Sequence, residues 1–476
     1  MNDQDVCFAS AVELAEQIRN RQISCVEVVS AHLRQIEQTN HHVNAIVTLA
    51  GDAAIATAEL ADQAVARGAP LGPLHGVPVL YKDLTPTKGM RTTFGSPIYA
   101  DHIPDHDALI VERLRAAGAI SLGKSNTPEF GAGSQTFNPV FGATLNPYDL
   151  AKTCGGSSGG AAVALACGMT PLAEGSDMGG SLRNPASFCN VVGFRPSPGR
   201  VPVWPKDEGW LPIPVQGPMA RTVKDVALML SAIAGPDPRD PIAIAEPGET
   251  FRRSLGRDFQ DVRIAWSRNL GHLPVDPAVT STLDQQRTTF ESLGCRVEED
   301  EPNGFEVADD IFKVWRAWLM EMKYAGLLRR RRADLKDTVV WNIEQGQTLT
   351  GPEIGRIERL HMELFHRMRK FMDRYEFLVL PVSQVPPFDV ELPYVTSIHN
   401  QPMETYIDWM KSCYYITVTG HPAISVPAGF TSEGLPIGIQ IVGRHQHDFE
   451  VMQLAYAFEQ ATAFGNLRPP LLDRLQ

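Results

Sequence analysis

Three segments rich in serine and glycine hold the residues whose types and spacing could do chemistry. The first, Gly118-Ala-Ile-Ser-Leu-Gly123-Lys124-Ser125, matches the phosphate-loop pattern G-x-x-x-x-G-K-[ST]. A phosphate loop follows a strand and wraps its own amides around an anion. Here a helix comes first, the middle residues read as a buried strand, and Pro128 stands in the way of the helix that should follow. A strand ending in a polar turn is the better reading. The second, Gly155-Gly156-Ser157-Ser158-Gly159, fits the nucleophile-elbow pattern G-x-S-x-G, which needs a strand before it and a helix after it. Gly160–Cys167 supplies the helix, but Asn146–Lys152 does not read as a strand and no H-G-G-G oxyanion loop exists. A Ser-His-Asp hydrolase stays as an alternative. The third is Glu174-Gly-Ser-Asp177-Met178-Gly179-Gly180-Ser181-Leu-Arg183-Asn184-Pro185-Ala186. Two glycines directly before a serine remove side chains where backbone N–H groups would converge on an oxyanion, as an acyl-transfer nucleophile requires.

The elements around these segments alternate. Capping boxes at Ser10-x-x-Glu13 and Ser24-x-x-Glu27 open two helices, the second placing Val26, Val29, Leu33 and Ile36 on one face and ending near Asn40. Val43–Ala50 reads as a strand, and Asp52 as the cap of an alanine-rich helix that stops at Gly68. Val77–Lys82 reads as a strand, Asp107–Ala117 as a helix, and Ala119–Gly123 as a strand. Such alternation predicts α/β layers around a buried sheet. After Pro236, residues 236–260 read as surface loop, Val262–Trp266 as a strand and Ala278–Leu293 as a helix. Phe305–Tyr375 is helical and charged, and its run Arg329–Arg332 is expected to be a solvated face. Phe377–Val382, Ala423–Pro427 and Ile437–Val442 have strand length and return the chain to the sheet, so the helical stretch reads as an insertion.

Composition narrows the class. Hydrophobic residues are 43% and charged residues 21% of 476, enough for a large core and against disorder. At ~150 residues per domain the length alone allows about three domains. Forty-three basic against 55 acidic residues leave a net charge of −12, unsuited to a nucleic-acid binder or to docking on anionic membranes. The start has neither a basic nor an apolar stretch of signal-peptide type, and no uncharged apolar run reaches the ~18 residues of a membrane span. Seven scattered cysteines without a C-x-x-C pair predict reduced thiols in the cytoplasm and no zinc site.

Jointly, Gly76-Val-Pro78-Val-Leu-Tyr-Lys82-Asp83, Gly155–Gly160 and Gly175–Ala186 resemble the three signature blocks of the amidase signature family. Weaker likenesses at Gly123–Glu129, Gly217–Arg221, His421–Gly429 and Gly434–Gly443 extend the resemblance over nearly the whole chain. It implies one α/β domain over 1–476, an α/β/α layer around a mixed, twisted central sheet. The signature core would span about 70–235 and a variable helical insertion about 300–375. It further implies a Ser–cis-Ser–Lys triad in which Ser181 is the nucleophile, Ser157 the bridge after a cis bond to Gly156, and Lys82 the base. Ser158 would support them. The N–H groups of Met178, Gly179, Gly180 and Ser181 would form the oxyanion hole, and Asp177 with Arg183 would brace that loop as an ion pair.

The chemistry agrees with these roles. A serine hydroxyl needs an adjacent base, and a lysine serves only when burial favours its neutral form. Six of the 39 glycines, at 155, 156, 159, 160, 179 and 180, flank the two serines. The reaction expected is hydrolysis of a small-molecule amide through an acyl-enzyme, with no metal or organic cofactor. The family also includes the glutaminase subunit of the glutamyl-tRNA amidotransferase. That subunit usually reads Arg-Gln-Pro where this chain has Arg183-Asn184-Pro185, and Ser-x-Asp-Gln where it has Pro212–Gln216, which favours a stand-alone amidase. A non-catalytic role within a complex is the alternative of another class. Family pockets vary near Phe130–Phe137, which marks Phe130, Gly133 and Ser134 as candidate substrate contacts. Trp204, Trp210, Trp315, Trp318, Met320, Met322 and Trp341 are further candidate walls, although aromatics at helical spacing more often sit in a core. The resemblance also implies a homodimer.

Overall fold

The computed structural model describes residues 2–475. Eleven strands form one sheet. In chain order they are β1 (Ile46–Leu49), β2 (Pro78–Lys82), β3 (Ile120–Ser125), β4 (Leu172–Asp177), β5 (Val192–Arg195), β6 (Val215–Ala220), β7 (Arg263–Trp266), β8 (Arg296–Glu299), β9 (Phe377–Pro381), β10 (Ala423–Phe430) and β11 (Pro436–Gly443). Across the sheet they run β1-β3-β2-β4-β6-β5-β10-β11-β9-β7-β8. The pairing is mixed: β2 lies parallel to β3 and β4, whereas β6 runs antiparallel to β4 and β5. Helices cover both faces, as expected from the alternation of elements.

The strands are apolar along their length because both faces are buried. On β2, Leu80 enters one core cluster while Val79 and Tyr81 enter the other. On β9, Leu378 and Leu380 face the first core, and Phe377 and Val379 the second.

Both capping boxes form, each serine accepting the N–H of the glutamate three residues on. The second opens the helix Cys25–Val43. Other expectations need correction. Ala50, not Asp52, holds the N-cap position of the helix Gly51–Ala66, and Asp52 lies in its first turn, where its charge suits the helix dipole. Ala278–Leu293 divides into Pro277–Asp284 and Arg287–Ser292, the break falling where Gln286 turns inward and is buried. Asp149–Thr153 is extended after all and pairs with Leu145–Asn146 in a small ladder outside the main sheet. The helical stretch is three helices, Val307–Arg331, Asp337–Gln347 and Gly351–Met372; Thr350 caps the last, and Pro352 stands in its first turn. Arg329 to Arg332 are exposed, with Arg331 paired to Asp334 and Arg332 to Glu344. No helix among the described residues is long and apolar enough to cross a membrane.

Candidate active site

Strands β2 and β4 are parallel neighbours, so their carboxyl ends open on the same edge of the sheet. Lys82 is the last residue of β2, and the loop Met178–Ser181 leaves the end of β4. Between them in sequence, Gly155–Ser158 turns into the short helix Gly159–Ala166, every residue of which is buried. Only small side chains allow so close an approach: a Cβ on Gly160 would stand 2.3 Å from the backbone nitrogen of Asn126. The Gly156–Ser157 peptide is cis.

This arrangement brings Lys82 and Ser157 together. Nζ of Lys82 lies 2.7 Å from Oγ of Ser157, 2.9 Å from Oγ of Ser158 and 3.0 Å from Oγ of Ser176. The lysine is fully buried, and burial pulls its pKa down to about 7 against the opposing charges of Glu174 and Asp177. Three hydroxyls suit both of its protonation states. An ammonium donates to all three; a neutral amine donates to two and offers its lone pair to the third O–H. Ser158 stands at the N-cap of Gly159–Ala166 but does not cap it, its hydroxyl being turned to Lys82.

Two members of this cluster lay outside the sequence reading. Ser176 is the third hydroxyl on Nζ. Glu174 is buried, and its Oε2 accepts the backbone N–H of Lys82 at 3.0 Å and the Thr85 hydroxyl at 2.9 Å, while Oε1 has no protein partner among the described residues. Burial raises the Glu174 pKa against the pull of Lys82 and Lys124. The period of two along β4 was the available signal: Glu174 and Ser176 share a face of the strand that runs beside β2.

The serine loop is braced from below. Arg183 Nε and Nη2 donate to the two carboxylate oxygens of Asp177 at 3.0 and 2.9 Å, and Arg195 Nη1 reaches the carbonyl of Asp177 at 2.6 Å. Burial acts to raise Asp177, but the two arginines outweigh it and hold the carboxyl well below the usual range. Asp177 also accepts the N–H of Gly180 at 2.9 Å, so that N–H is committed inside the loop. Met178, Gly179 and Ser181 are left with N–H groups that have no acceptor among the described residues. Gly180 has φ of 116°, and a Cβ there would meet Cβ of Cys413 at 2.6 Å.

Ser181 is half-buried and its hydroxyl has no hydrogen-bond partner among the described residues. It opens, with Ser157, Ser176 and Met178, into a cavity of about 420 Å³. Phe94, Phe130, Trp204, Leu319, Met320 and Tyr324 form apolar walls, the rings of Phe130 and Tyr324 4.4 Å apart. Of the candidate substrate contacts, Phe130 lines this space and Gly133 and Ser134 do not. The Ser134 hydroxyl instead donates to the carbonyl of Gly156 at 2.7 Å, steadying the turn before Ser157. Trp210, Trp315 and Trp318 line a separate surface groove, Met322 is exposed, and Trp341 packs against Tyr406.

The phosphate-loop lookalike resolves as expected. Lys124 is buried, its Nζ donating to the carbonyl of Thr85 and to the Thr87 hydroxyl, with no room for a phosphate. Among the described residues, no group of histidine, cysteine, aspartate and glutamate could hold a metal ion.

The family model for amidases matches residues 27–452. An acylamidase from Rhodococcus erythropolis is 35% identical, over 98% of this chain and 98% of that protein. One component of the glutamyl-tRNA(Gln) amidotransferase of Moorella thermoacetica is 34% identical, over 98% of this chain and 99% of that protein. Among solved structures, a bacterial aryl acylamidase of the amidase signature family superposes with a TM-score of 0.90 at 30% identity, over 96% of this chain and 98% of that one. A 6-aminohexanoate cyclic dimer hydrolase with bound substrate reaches 0.87 at 26%, over 98% and 99%.

Proposed function

Because this chain belongs to the amidase signature family, we propose that it is a stand-alone amidase that works through Ser181, Ser157 and Lys82. Hydrolysis of amides follows from the membership itself; the residue roles and the independence from partner subunits are our reading. The observation that carries it is the 2.7 Å contact between Lys82 Nζ and Ser157 Oγ, buried beside the cavity that Ser181 enters.

In this mechanism neutral Lys82 takes the proton of Ser157, which takes that of Ser181 as the latter attacks the amide carbonyl. The N–H groups of Met178, Gly179 and Ser181 stand free to receive the oxyanion, each such donor contributing roughly 3 kcal/mol to the transition state. Lys82 returns the proton through Ser157 to the leaving nitrogen, and an acyl-enzyme on Ser181 remains. Water repeats the sequence and releases the acid. The apolar walls of the cavity at Phe94, Phe130, Leu319, Met320 and Tyr324, together with the acylamidase relatives, support an aryl or medium acyl amide as substrate.

Arg183-Asn184-Pro185 and Pro212–Gln216 support independence from an amidotransferase complex. Seven free, buried cysteines suit a cytoplasmic enzyme. We also take the chain as one domain, since strands from Ile46 to Gly443 share a sheet, and as a homodimer, which light scattering tests. The purified chain, alone, is expected to hydrolyse simple amides, and Ser181→Ala to lose that activity. Full hydrolysis by Ser181→Ala, or glutaminase activity seen only with partner proteins, overturns the reading.

A further inference from the structure

One wall of the cavity holds a charge with no ion-pair partner among the described residues. Arg316, on the helix Val307–Arg331, is 5% exposed and lines the same space as Ser181. Its Nη1 donates to Oδ1 of Asn342, and its Cζ lies 4.8 Å from the ring centre of Tyr406. Asn342 is itself fixed by the Tyr406 hydroxyl at 2.6 Å, so the guanidinium is held in place from one side. Nε and Nη2 have no acceptor among the described residues, yet neither is sealed away from the cavity.

Other buried arginines are neutralised. Arg183 and Arg195 share Asp177, and Arg200 has Asp448 and Glu246. The lysines of the cavity wall have partners as well, Lys323 with Glu208 at 2.7 Å and Lys206 with Asp240 at 3.8 Å. Arg316 has no carboxylate among the described residues, and burial pulls its pKa down to about 9 with only Tyr414 acting against that. A buried cation without a partner is costly, and a guanidinium offers carboxylates a planar pair of donors. Positioned but unpaired, such a group suits an anion that arrives with the ligand.

We propose that Arg316 binds a carboxylate carried by the substrate, so that this enzyme acts on amides bearing an acidic group beside an apolar or aromatic body. The inference rests on the amidase reading above and narrows its substrate class.

The test compares substrates matched in shape. 4-Carbamoylbenzoate against 4-methylbenzamide places the charge on the acyl side, and 4-acetamidobenzoate against 4-methylacetanilide places it on the leaving side. The wild-type enzyme is expected to prefer the carboxylate in at least one pair, by about 10- to 100-fold in kcat/KM. Arg316→Gln should abolish that preference and leave the neutral substrate within about threefold, while Arg316→Lys recovers part of it. Ser181-dependent hydrolysis of the neutral substrates without preference for either carboxylate overturns the role of Arg316 and leaves the amidase standing. Equal loss on both members of a pair in Arg316→Gln also overturns it, by showing that the arginine only supports the fold. If no substrate is turned over, the amidase reading fails on its own. Calorimetric binding of 4-acetamidobenzoate to wild type and to Arg316→Gln then decides the arginine, with equal affinities counting against it.

Discussion

Glu174 holds Lys82 by its backbone and not by its amine: Oε2 accepts the main-chain N–H of Lys82 at 3.0 Å, while Nζ is turned to three serine hydroxyls. The carboxylate thereby places the lysine without forming an ion pair that would keep it protonated. Its charge still favours the ammonium from a distance, opposing the effect of burial.

Glu174→Gln retains an acceptor for the Lys82 N–H and removes the charge. The Lys82 pKa is then expected to fall further, moving the acidic limb of the pH profile of kcat/KM toward lower pH with a modest loss at the plateau. Glu174→Leu also removes the backbone anchor and is expected to lose activity at every pH. A Glu174→Gln profile that coincides with the wild-type curve, or moves upward, contradicts this positioning role.

The three hydroxyls on Nζ are near-equivalent in distance, whereas the proposed mechanism gives them different functions. In the proposed mechanism Ser157, which follows the cis peptide, is the relay, and its loss would break the proton path. Ser157→Ala is expected to lower kcat by about 10²- to 10⁴-fold, the usual contribution of a general base. Ser158→Ala and Ser176→Ala each remove one partner of the amine and are expected to cost about tenfold, equivalent to a neutral hydrogen bond. Measured kcat values that rank Ser158→Ala or Ser176→Ala below Ser157→Ala would assign the relay to the wrong serine.

The pH dependence follows from the burial of Lys82. Below a pKa of about 7 the amine is protonated and has no lone pair to accept the Ser157 proton, so kcat/KM should rise with pH through that value and then level off. The same depressed pKa links to stability with a definite sign. Between the folded value and the unfolded value of ~10.4 the unfolded chain binds the extra proton, so stability rises with pH across that window. Initial rates from pH 5 to 9 test the first statement; a rate already on its plateau at pH 5 is incompatible with lysine as the base.

How much of this was legible in the sequence depends on whether a role is local. Capping boxes and glycine pairs are set by neighbours in the chain, and the expected Asp177–Arg183 pair forms; the roles of Lys82, Ser157 and Ser181 came from the family resemblance and stand as our proposal. Ser176 and Glu174 lie in the third serine- and glycine-rich segment, but their contacts depend on which strand lies beside β4, and that is a property of the sheet. Gly180 was expected to offer its N–H to an oxyanion; the turn gives that N–H to Asp177, a choice made by loop geometry. Arg316 carried no local signal at all. Its meaning comes from the missing carboxylate, which only the packing of Val307–Arg331 against Asp337–Gln347 and Tyr406 reveals.

The brace beneath the Met178–Ser181 loop gives a stability test separate from catalysis. Asp177 neutralises Arg183 and Arg195 in a site with no exposure, and Arg183 further ties the loop to the carbonyl of Cys413 at 3.0 Å and the hydroxyl of Thr417 at 2.9 Å. Asp177→Asn keeps the shape and leaves two guanidiniums buried without a counter-charge. Breaking a buried pair in this way costs about 3–5 kcal/mol, so a clear fall in the urea midpoint at pH 7 is expected. The acid response should change as well. Burial works to raise the Asp177 pKa, but the arginines depress it, so its stabilisation is fully present above the ordinary carboxylate value of ~3.9 and is lost as pH falls toward the folded value. Wild type should therefore lose more stability than Asp177→Asn between pH 5 and pH 2. A variant within about 1 kcal/mol of wild type at pH 7, or one with the same acid sensitivity, would show that the two arginines draw their compensation from the surrounding carbonyls instead.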